Sequence, residues 1–222
     1  MPLLEGQVLE QVKQVFQKLT NPVTLIMFSQ EIECLFCKET RELIQDISAQ
    51  SDKLKVEIYD FQKDPEKVKQ YHIDKIPAIA VVGDKDYGIR FYGVPAGYEF
   101  TSFIDTILMV STRDSGLMPE TRLKLRSIAH PINIQVFATL TCPYCPMAVH
   151  IAHQFAFEWD MITSSMIEAQ EFPTLVQKYK VMGVPKIIIN ETFEFEGALP
   201  EQQFVEKVLE SIKPNQEPTS VT

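Results

Sequence analysis

The sequence has no run of apolar residues that approaches the ~20 needed for a membrane-spanning helix, and it has no excess of basic residues. Its 21 lysines and arginines stand against 30 aspartates and glutamates, giving a net charge of −9. This balance argues against nucleic acid or an anionic membrane as the main partner. The first twenty residues lack the basic segment and apolar core of a secretory signal. We therefore expect a cytoplasmic location, with no membrane or nucleic-acid partner.

Cysteine is also scarce, and its four copies occur as two pairs, CLFC (34–37) and CPYC (142–145). In the cytosol such pairs indicate metal binding or redox chemistry more often than structural cross-links. A cross-link within either pair would close a very small loop and so stabilise the fold weakly. The pairs of a shared zinc site are usually about 15–20 residues apart, whereas 104 residues separate these two. We favour redox chemistry and predict no metal site.

The two cysteine pairs belong to an internal repeat. Pro77 follows Cys34 by 43 residues, and Pro185 follows Cys142 by the same distance. At this constant offset of 108 residues, further identities coincide: Pro65 with Pro173, Val68 with Val176, Tyr71 with Tyr179, and IPAI (76–79) with VPKI (184–187). The repeat predicts two structural units of one kind.

Each half of the sequence predicts the order helix, strand, CxxC-initiated helix, strand, helix, strand, strand, helix. Short segments rich in Val, Ile and Phe indicate the strands, and apolar residues spaced by three or four indicate the helices. The segment GDKDYG (83–88) predicts a hairpin turn. The fold class is therefore α/β, with a mixed central sheet flanked by helices in each unit. We place the units at 1–115 and 116–213 and expect a disordered tail at 214–222, which is poor in apolar residues.

A strand, a CxxC pair at the start of a helix and a later proline resemble the thioredoxin fold. Two such units in one chain resemble the glutaredoxin-like protein disulfide oxidoreductases of thermophilic archaea and bacteria. The resemblance implies two tandem thioredoxin-fold units that oxidise, reduce or isomerise protein disulfides, in the manner of a protein disulfide isomerase. It implies redox-active disulfides Cys34–Cys37 and Cys142–Cys145, with all four cysteines catalytic.

The resemblance also implies a substrate-binding loop at each site. Family members hold the proline of this loop in the cis form, facing the first cysteine, and the preceding backbone pairs with an extended substrate strand. The predicted substrate-binding residues are Ile76, Pro77 and Phe36 at the first site, and Val184, Pro185 and Tyr144 at the second. Many thioredoxins carry a buried carboxylate six residues before the first cysteine. Phe28 and Val136 occupy those positions here, so the proton acceptor stays unassigned.

The chemistry of thiol-disulfide exchange gives the two cysteines of a pair different roles. The attacking group is a thiolate, and a cysteine near a helix N-terminus can have its pKa lowered from near 8.5 to roughly 3.5–7.5. Cys34 and Cys142 are therefore the predicted nucleophiles, and the second cysteine of each pair resolves the mixed disulfide. Glu31 and Glu33 lie close to Cys34 in the chain, whereas no charge flanks Cys142. Because negative charge raises the pKa of a thiol, we predict that Cys142 has the lower pKa and the more oxidising disulfide.

Two interpretations of the function follow. The first is an enzyme that exchanges dithiols and disulfides with protein substrates and receives electrons from a thioredoxin-reductase-type flavoprotein. The chain has no GxGxxG fingerprint and so cannot bind NADPH by that route; no cofactor beyond the two disulfides is predicted. The alternative is a dedicated relay that passes electrons from a flavoprotein to a peroxiredoxin-type peroxidase. The histidines His150 and His153, one turn apart after CPYC, are expected on a solvated or half-buried helix face with no role.

Overall fold

A computed structural model describes residues 6–213. The order of its elements matches the predicted order in both halves, and the predicted tail, 214–222, lies outside the described residues. The first half comprises α1 (Gly6–Phe16), β1 (Val23–Ser29), α2 (Cys37–Ser48), β2 (Leu54–Asp60), α3 (Pro65–Gln70), β3 (Ala78–Val82), β4 (Asp86–Tyr92) and α4 (Glu99–Thr112). The second half comprises α5 (Pro119–Arg126), β5 (Ile132–Ala138), α6 (Cys145–Glu158), β6 (Ile162–Glu168), α7 (Pro173–Lys178), β7 (Lys186–Ile189), β8 (Phe193–Glu196) and α8 (Glu201–Ser211).

The strands of both halves form one continuous sheet in the order β2-β1-β3-β4-β6-β5-β7-β8. Within each half, the first two strands are parallel and the last two pair antiparallel. The halves are joined by β4 and β6, which pair in parallel with Arg90 opposite Ser165. The predicted mixed α/β fold is confirmed, and the union of the two sheets is a feature that the repeat pattern did not predict.

The strand directions place both cysteine pairs at the same end of the strands, on one side of the sheet. β1 and β5 point the same way, because two antiparallel pairings and two parallel pairings lie between them. Each strand is followed by a CxxC segment. Four strand spacings of about 4.8 Å put the ends of β1 and β5 roughly 19 Å apart.

Apolar side chains cover the two faces of the sheet unequally. The larger cluster packs the long helices, including α2, α4 and α6, against one face of both halves. The smaller cluster packs residues of α3 and α7 with the turns that follow them, such as Val68 and Val176, against the other face. β1 is therefore buried on both sides, and only Thr24 of its seven residues is partly exposed. This explains why β1 has a continuous apolar sequence rather than an alternating one.

The predicted hairpin turn at 83–88 is too long. β4 already begins at Asp86, so the turn spans only residues 83–85. Two contacts draw the segment into the strand: the Asp86 carboxylate binds the Arg90 guanidinium at 2.6 Å, and the Tyr87 ring stacks on Phe157 at 4.4 Å between centroids. The second contact joins the two halves, and repeat comparison alone could not detect it.

The prediction of a solvated or half-buried position is correct for His150 and wrong for His153. His153 is fully buried, with Nδ1 2.9 Å from the Ser164 hydroxyl and its ring 4.8 Å from that of Phe91. Burial lowers the pKa of His153 to about 3, so this side chain is a neutral member of the core where the halves meet. His150 is half-buried, and burial lowers its pKa as well.

No helix within the described range is both long enough and apolar enough to cross a lipid bilayer.

Candidate active site

Each CxxC segment forms the turn between a strand and a helix. The predicted helix start is wrong by three residues: α2 and α6 begin at the second cysteines, Cys37 and Cys145, and the first cysteines lie in the preceding turns. At the second site the backbone N–H of Cys145, the first residue of α6, donates to the sulfur of Cys142 at 3.2 Å. The first N–H groups of a helix lack partners within the helix. The sulfur accepts from one of them, which is the arrangement that stabilises a thiolate.

Within each pair the first sulfur is the accessible one. Cys34 is partly exposed whereas Cys37 is 2% exposed, and Cys142 is 8% exposed whereas Cys145 is fully buried. The structure contains both pairs as disulfides, Cys34–Cys37 and Cys142–Cys145, each with its Cα atoms 5.5 Å apart. A substrate sulfur can therefore approach the first cysteine of each pair far more readily than the second.

The proline loops have the predicted peptide geometry, and one of them contacts its cysteine. The Ile76–Pro77 and Val184–Pro185 bonds are both cis. At the second site the sulfur of Cys142 lies 3.7 Å from the carbonyl oxygen of Val184, as the resemblance implied. Among residues 6–213, no equivalent hydrogen-bond contact joins Cys34 to Ile76, and the substrate-binding role of the first loop stays a prediction.

The first site opens onto a polar cavity of about 440 Å³. Its lining consists of both cysteines and the polar or charged side chains of Gln30, Glu31, Lys38, Arg41, Glu42 and Gln45. Arg41 donates from Nη2 to the Ser29 hydroxyl at 2.8 Å, and its buried Nε has no partner. The flanking charges used in the sequence prediction were therefore incomplete, because one turn of α2 brings the Arg41 cation to the same cavity as Glu31.

The second site has an apolar surface. Tyr144 is 71% exposed and Met182, three residues before Pro185, is 92% exposed; Met147 is also exposed. These side chains flank the contact between Cys142 and Val184 along the chain. Sequence analysis missed Met182, although its place just before the proline loop was a usable signal.

Phe36, predicted to bind substrate, is half-buried. It lines an apolar cavity of about 440 Å³ together with side chains such as Leu43, Val94 and Phe100. Its counterpart Tyr144 projects from the second site. The two residues between the cysteines therefore differ in environment, although they occupy the same position in the repeat.

A buried carboxyl group that sequence analysis missed lies beside the segment that leads to CPYC. Glu99, the first residue of α4, is fully buried. The backbone N–H of the preceding Tyr98 donates to the carbonyl of Leu140 at 2.9 Å, two residues before Cys142. Ser102 donates to one carboxyl oxygen at 2.6 Å, the other has no partner, and burial raises the pKa of Glu99 to about 7. Such a group can accept or release a proton near neutral pH.

Across residues 6–213, no group of three or more His, Cys, Asp and Glu side chains is arranged to hold a metal ion. Each cysteine pair is closed by its own disulfide, and the two pairs follow strands that lie four spacings apart in the sheet.

Comparison with known proteins agrees with this architecture. A family model described as a thioredoxin domain matches residues 132–210. The chain superimposes on a protein disulfide oxidoreductase from Aeropyrum pernix with a TM-score of 0.86 and 30% identity, covering 92% of this chain and 91% of that one. A NADH dehydrogenase of Bacillus subtilis is 23% identical over 188 residues, 85% of this chain and 34% of the relative. A component of the alkyl hydroperoxide reductase of Pseudomonas aeruginosa is 24% identical over 208 residues, 93% of this chain and 37% of the relative. The chain thus spans about a third of the length of these curated relatives.

Proposed function

Because this chain belongs to the family of tandem thioredoxin-fold protein disulfide oxidoreductases, we propose that it exchanges dithiols and disulfides with other proteins at its two CxxC sites. The observation that carries the proposal is the geometry of the second site. The sulfur of Cys142 accepts a helix N-terminal N–H and lies against the Val184 carbonyl, and Cys145 is buried. Nucleophile, substrate loop and resolving cysteine are together.

In the reducing direction, the Cys142 thiolate attacks one sulfur of a substrate disulfide. The substrate S–S bond breaks, a mixed disulfide with Cys142 forms, and the second substrate sulfur leaves as a thiolate and takes up a proton. Cys145 then loses its proton and attacks the sulfur of Cys142, which releases the first substrate thiol and closes the Cys142–Cys145 disulfide. The substrate gains two electrons and two protons, and the protein dithiol loses them. The reverse sequence oxidises a substrate, and alternation of the two directions isomerises one.

The backbone next to each cis-proline is the proposed docking line for substrate. A strand laid along Val184 would place a substrate sulfur beside Cys142, because the Val184 carbonyl is already in contact with that sulfur. Ile76 and Pro77 serve the first site in the same way. Tyr144 supplies an exposed apolar contact at the second site, and Phe36 is the proposed counterpart at the first.

The two disulfides are the proposed redox groups, with no further cofactor bound by this chain. Electrons would therefore come from a separate flavoprotein of the thioredoxin-reductase type, with cytoplasmic proteins as substrates. A specific observation supports the relay to a peroxiredoxin as the second candidate: the similarity to a component of an alkyl hydroperoxide reductase covers 93% of this chain.

Two assays on the purified chain distinguish the candidates. One follows recovery of activity from scrambled ribonuclease, and the other follows peroxide consumption coupled to a peroxiredoxin and a flavoprotein reductase. Ribonuclease refolding that requires the cysteines supports the general oxidoreductase. Activity in the peroxide assay alone supports the relay, and activity in neither contradicts both.

A further inference from the structure

A short connector, defined as residues 93–98 between β4 and α4, contacts both redox sites. At its start the backbone N–H of Gly93 donates to the carbonyl of Pro77 at 2.9 Å, in the substrate loop of the first site. At its end the N–H of Tyr98 donates to the carbonyl of Leu140 at 2.9 Å, in the segment that leads to CPYC. A Cβ atom on Gly97 would lie 2.2 Å from that same carbonyl oxygen, so the approach is too close for any other residue.

Two carboxyl groups of the second half lie next to this connector, those of Glu168 and Glu171. Glu171 accepts the backbone N–H of Val94 at Oε1, 2.7 Å away. Glu168, at the end of β6, accepts the backbone N–H of Glu171 at 2.8 Å. Hydrogen bonds therefore join the connector to the Pro77 loop, to the Glu171 carboxyl group and to the segment before Cys142.

The repeat shows that this pair of acids is not a requirement of the fold. At the offset of 108 residues, Glu168 corresponds to Asp60 and Glu171 to Lys63, an oppositely charged pair 3.5 Å apart on the free edge of the sheet. In the second half β4 covers the equivalent strand, and two acids take the place of an acid and a base. Asp60 accepts the backbone N–H of Lys63 as Glu168 accepts that of Glu171, so the first acid has the same local role in both halves. The acid at Glu171 has no such counterpart, and placing it beside the buried Glu168 is costly.

Each carboxyl group has one buried oxygen without a partner, Oε1 of Glu168 and Oε2 of Glu171. The charged groups acting on Glu171 are both acids, Glu168 and Glu39 of α2. Burial, followed by the repulsion of these two, raises the pKa of Glu171 to about 7, and burial raises the pKa of Glu168. Neighbouring carboxyl groups under these conditions hold a proton between them near neutral pH rather than both ionising.

We propose that Glu168 and Glu171 form a positioning pair that sets the Pro77 loop of the first site and the Cys142 segment of the second through the shared connector. This inference rests on the proposed exchange function. The Val94 N–H favours the ionised form of Glu171, whereas burial and the repulsion of Glu168 oppose it, so loss of the proton from the pair changes how Glu171 holds the connector. The two redox sites, which follow strands whose ends lie roughly 19 Å apart, thereby respond to one titration.

The first test follows the connector and the segment before Cys142 by NMR and does not depend on enzymatic activity. In the oxidised full chain the cysteines do not titrate, and Glu99→Gln removes the other carboxyl group beside the connector whose pKa is about 7. Amide resonances of that variant, followed by NMR from pH 5.5 to 8.5, therefore report Glu168 and Glu171. We expect the amides of Gly93, Val94 and Leu140 to shift with a common midpoint near pH 7. Glu171→Gln keeps an acceptor for Val94 but cannot ionise, so it should abolish this common titration. Lys63→Gln, the matched change at the exposed repeat position, should leave it unchanged. Amides that stay flat, or a titration confined to Val94, would overturn the proposal.

The second test measures exchange with a peptide disulfide at each site separately, with the other cysteine pair changed to serine. Glu171→Ala removes the acceptor for Val94 and should slow both sites about three- to tenfold, whereas Glu171→Gln should retain the rates and flatten their pH dependence near pH 7. If the two Glu171 variants lose thermal stability but keep the exchange rates and pH profiles of the unmodified chain, the pair has only a structural role and the inference is contradicted. Absence of exchange in the unmodified chain would contradict the proposed function instead, and the NMR result would still stand by itself.

Discussion

The sulfur of Cys142 lies 3.7 Å from the carbonyl oxygen of Val184, a residue 42 positions away in the chain. This contact joins the turn before α6 to the loop before β7, and it makes the second site a place where a substrate strand and an attacking sulfur can meet. The first site lacks the equivalent contact among the described residues and instead opens onto a charged cavity. The two sites share a sequence pattern but differ in geometry, and the predictions below test the consequences.

The difference in exposure within each pair predicts which sulfur forms the mixed disulfide. Cys145→Ser should trap a covalent complex with a substrate protein through Cys142, because the resolving sulfur is gone. Cys142→Ser should trap almost none, because Cys145 is fully buried. Non-reducing electrophoresis with mass spectrometry of the adduct measures the outcome. Comparable trapping by the two variants would reverse the assigned roles, and Cys37→Ser with Cys34→Ser repeats the comparison at the first site.

The surroundings of the two sulfurs predict an order of thiol pKa values. Cys142 should ionise at the lower pH, because its sulfur accepts a helix N–H, whereas the acids Glu31 and Glu42 offset the cations Lys38 and Arg41 in the cavity at Cys34. Thiolate absorbance near 240 nm, recorded from pH 3 to 10 on chains with one intact nucleophile, gives each value. A lower pKa at Cys34 would contradict the ranking.

Arg41 provides a separate test of the first site. Its guanidinium lines the same cavity as both cysteines, so Arg41→Gln should raise the pKa of Cys34 by about half a unit to one unit, as expected for loss of a nearby positive charge. The pKa of Cys142 should not change in this variant. The exposed Lys38, which lines the same cavity, offers a matched control: Lys38→Gln should have a smaller effect because its ammonium is largely solvated. An effect of Lys38→Gln equal to that of Arg41→Gln would contradict a special role for Arg41.

Burial of Glu99 predicts a dependence of stability on pH. Its pKa is raised from 4.5 to about 7 in the folded chain, so the native state holds a proton that the unfolded state has released. The stability from this group is complete below pH 4.5 and is lost as pH rises through 7. The loss amounts to about 3 kcal/mol at ~1.4 kcal/mol per pKa unit. Glu99→Gln should remove this loss, and urea unfolding between pH 4 and 8.5 measures it; Glu66→Gln at an exposed position is the control. An unchanged pH dependence in Glu99→Gln would refute the assignment.

Exposed apolar side chains near CPYC predict a preference for apolar substrate segments. Tyr144→Ser with Met182→Ser should raise the KM for a peptide disulfide flanked by apolar residues several-fold, while exchange with a small disulfide such as oxidised dithiothreitol stays unchanged. Leu123→Ser removes a comparably exposed side chain on α5 and serves as the control. A rise in KM for both substrates alike would show that the loss lies in the chemistry and not in recognition.

The sequence by itself determined the order of helices and strands, the duplication and the four candidate cysteines. These features depend on local periodicity, on the spacing between cysteine and proline and on a repeat of constant offset, all of which can be read along one chain. The proline loops were predicted by resemblance, and the contact between Cys142 and Val184 agrees with it. Helix starts were less accurate, because the residues from the first to the second cysteine of each pair form a turn, and α2 and α6 begin only at Cys37 and Cys145.

Only the tertiary structure decided how the two units combine and what surrounds each site. The pairing of β4 with β6 merges two sheets into one. Glu168 is buried and Glu171 half-buried beside this junction, whereas their repeat equivalents lie at or just after the end of β2, at the edge of the sheet. Packing of distant segments also buries Glu99, whereas Arg41 reaches the first site through the neighbouring turn between β1 and α2. Sequence pattern records which residues alternate along an element. It does not record which surfaces pack against each other. At the two CxxC sites, this packing determines the exposure and the protonation of the groups beside the cysteines.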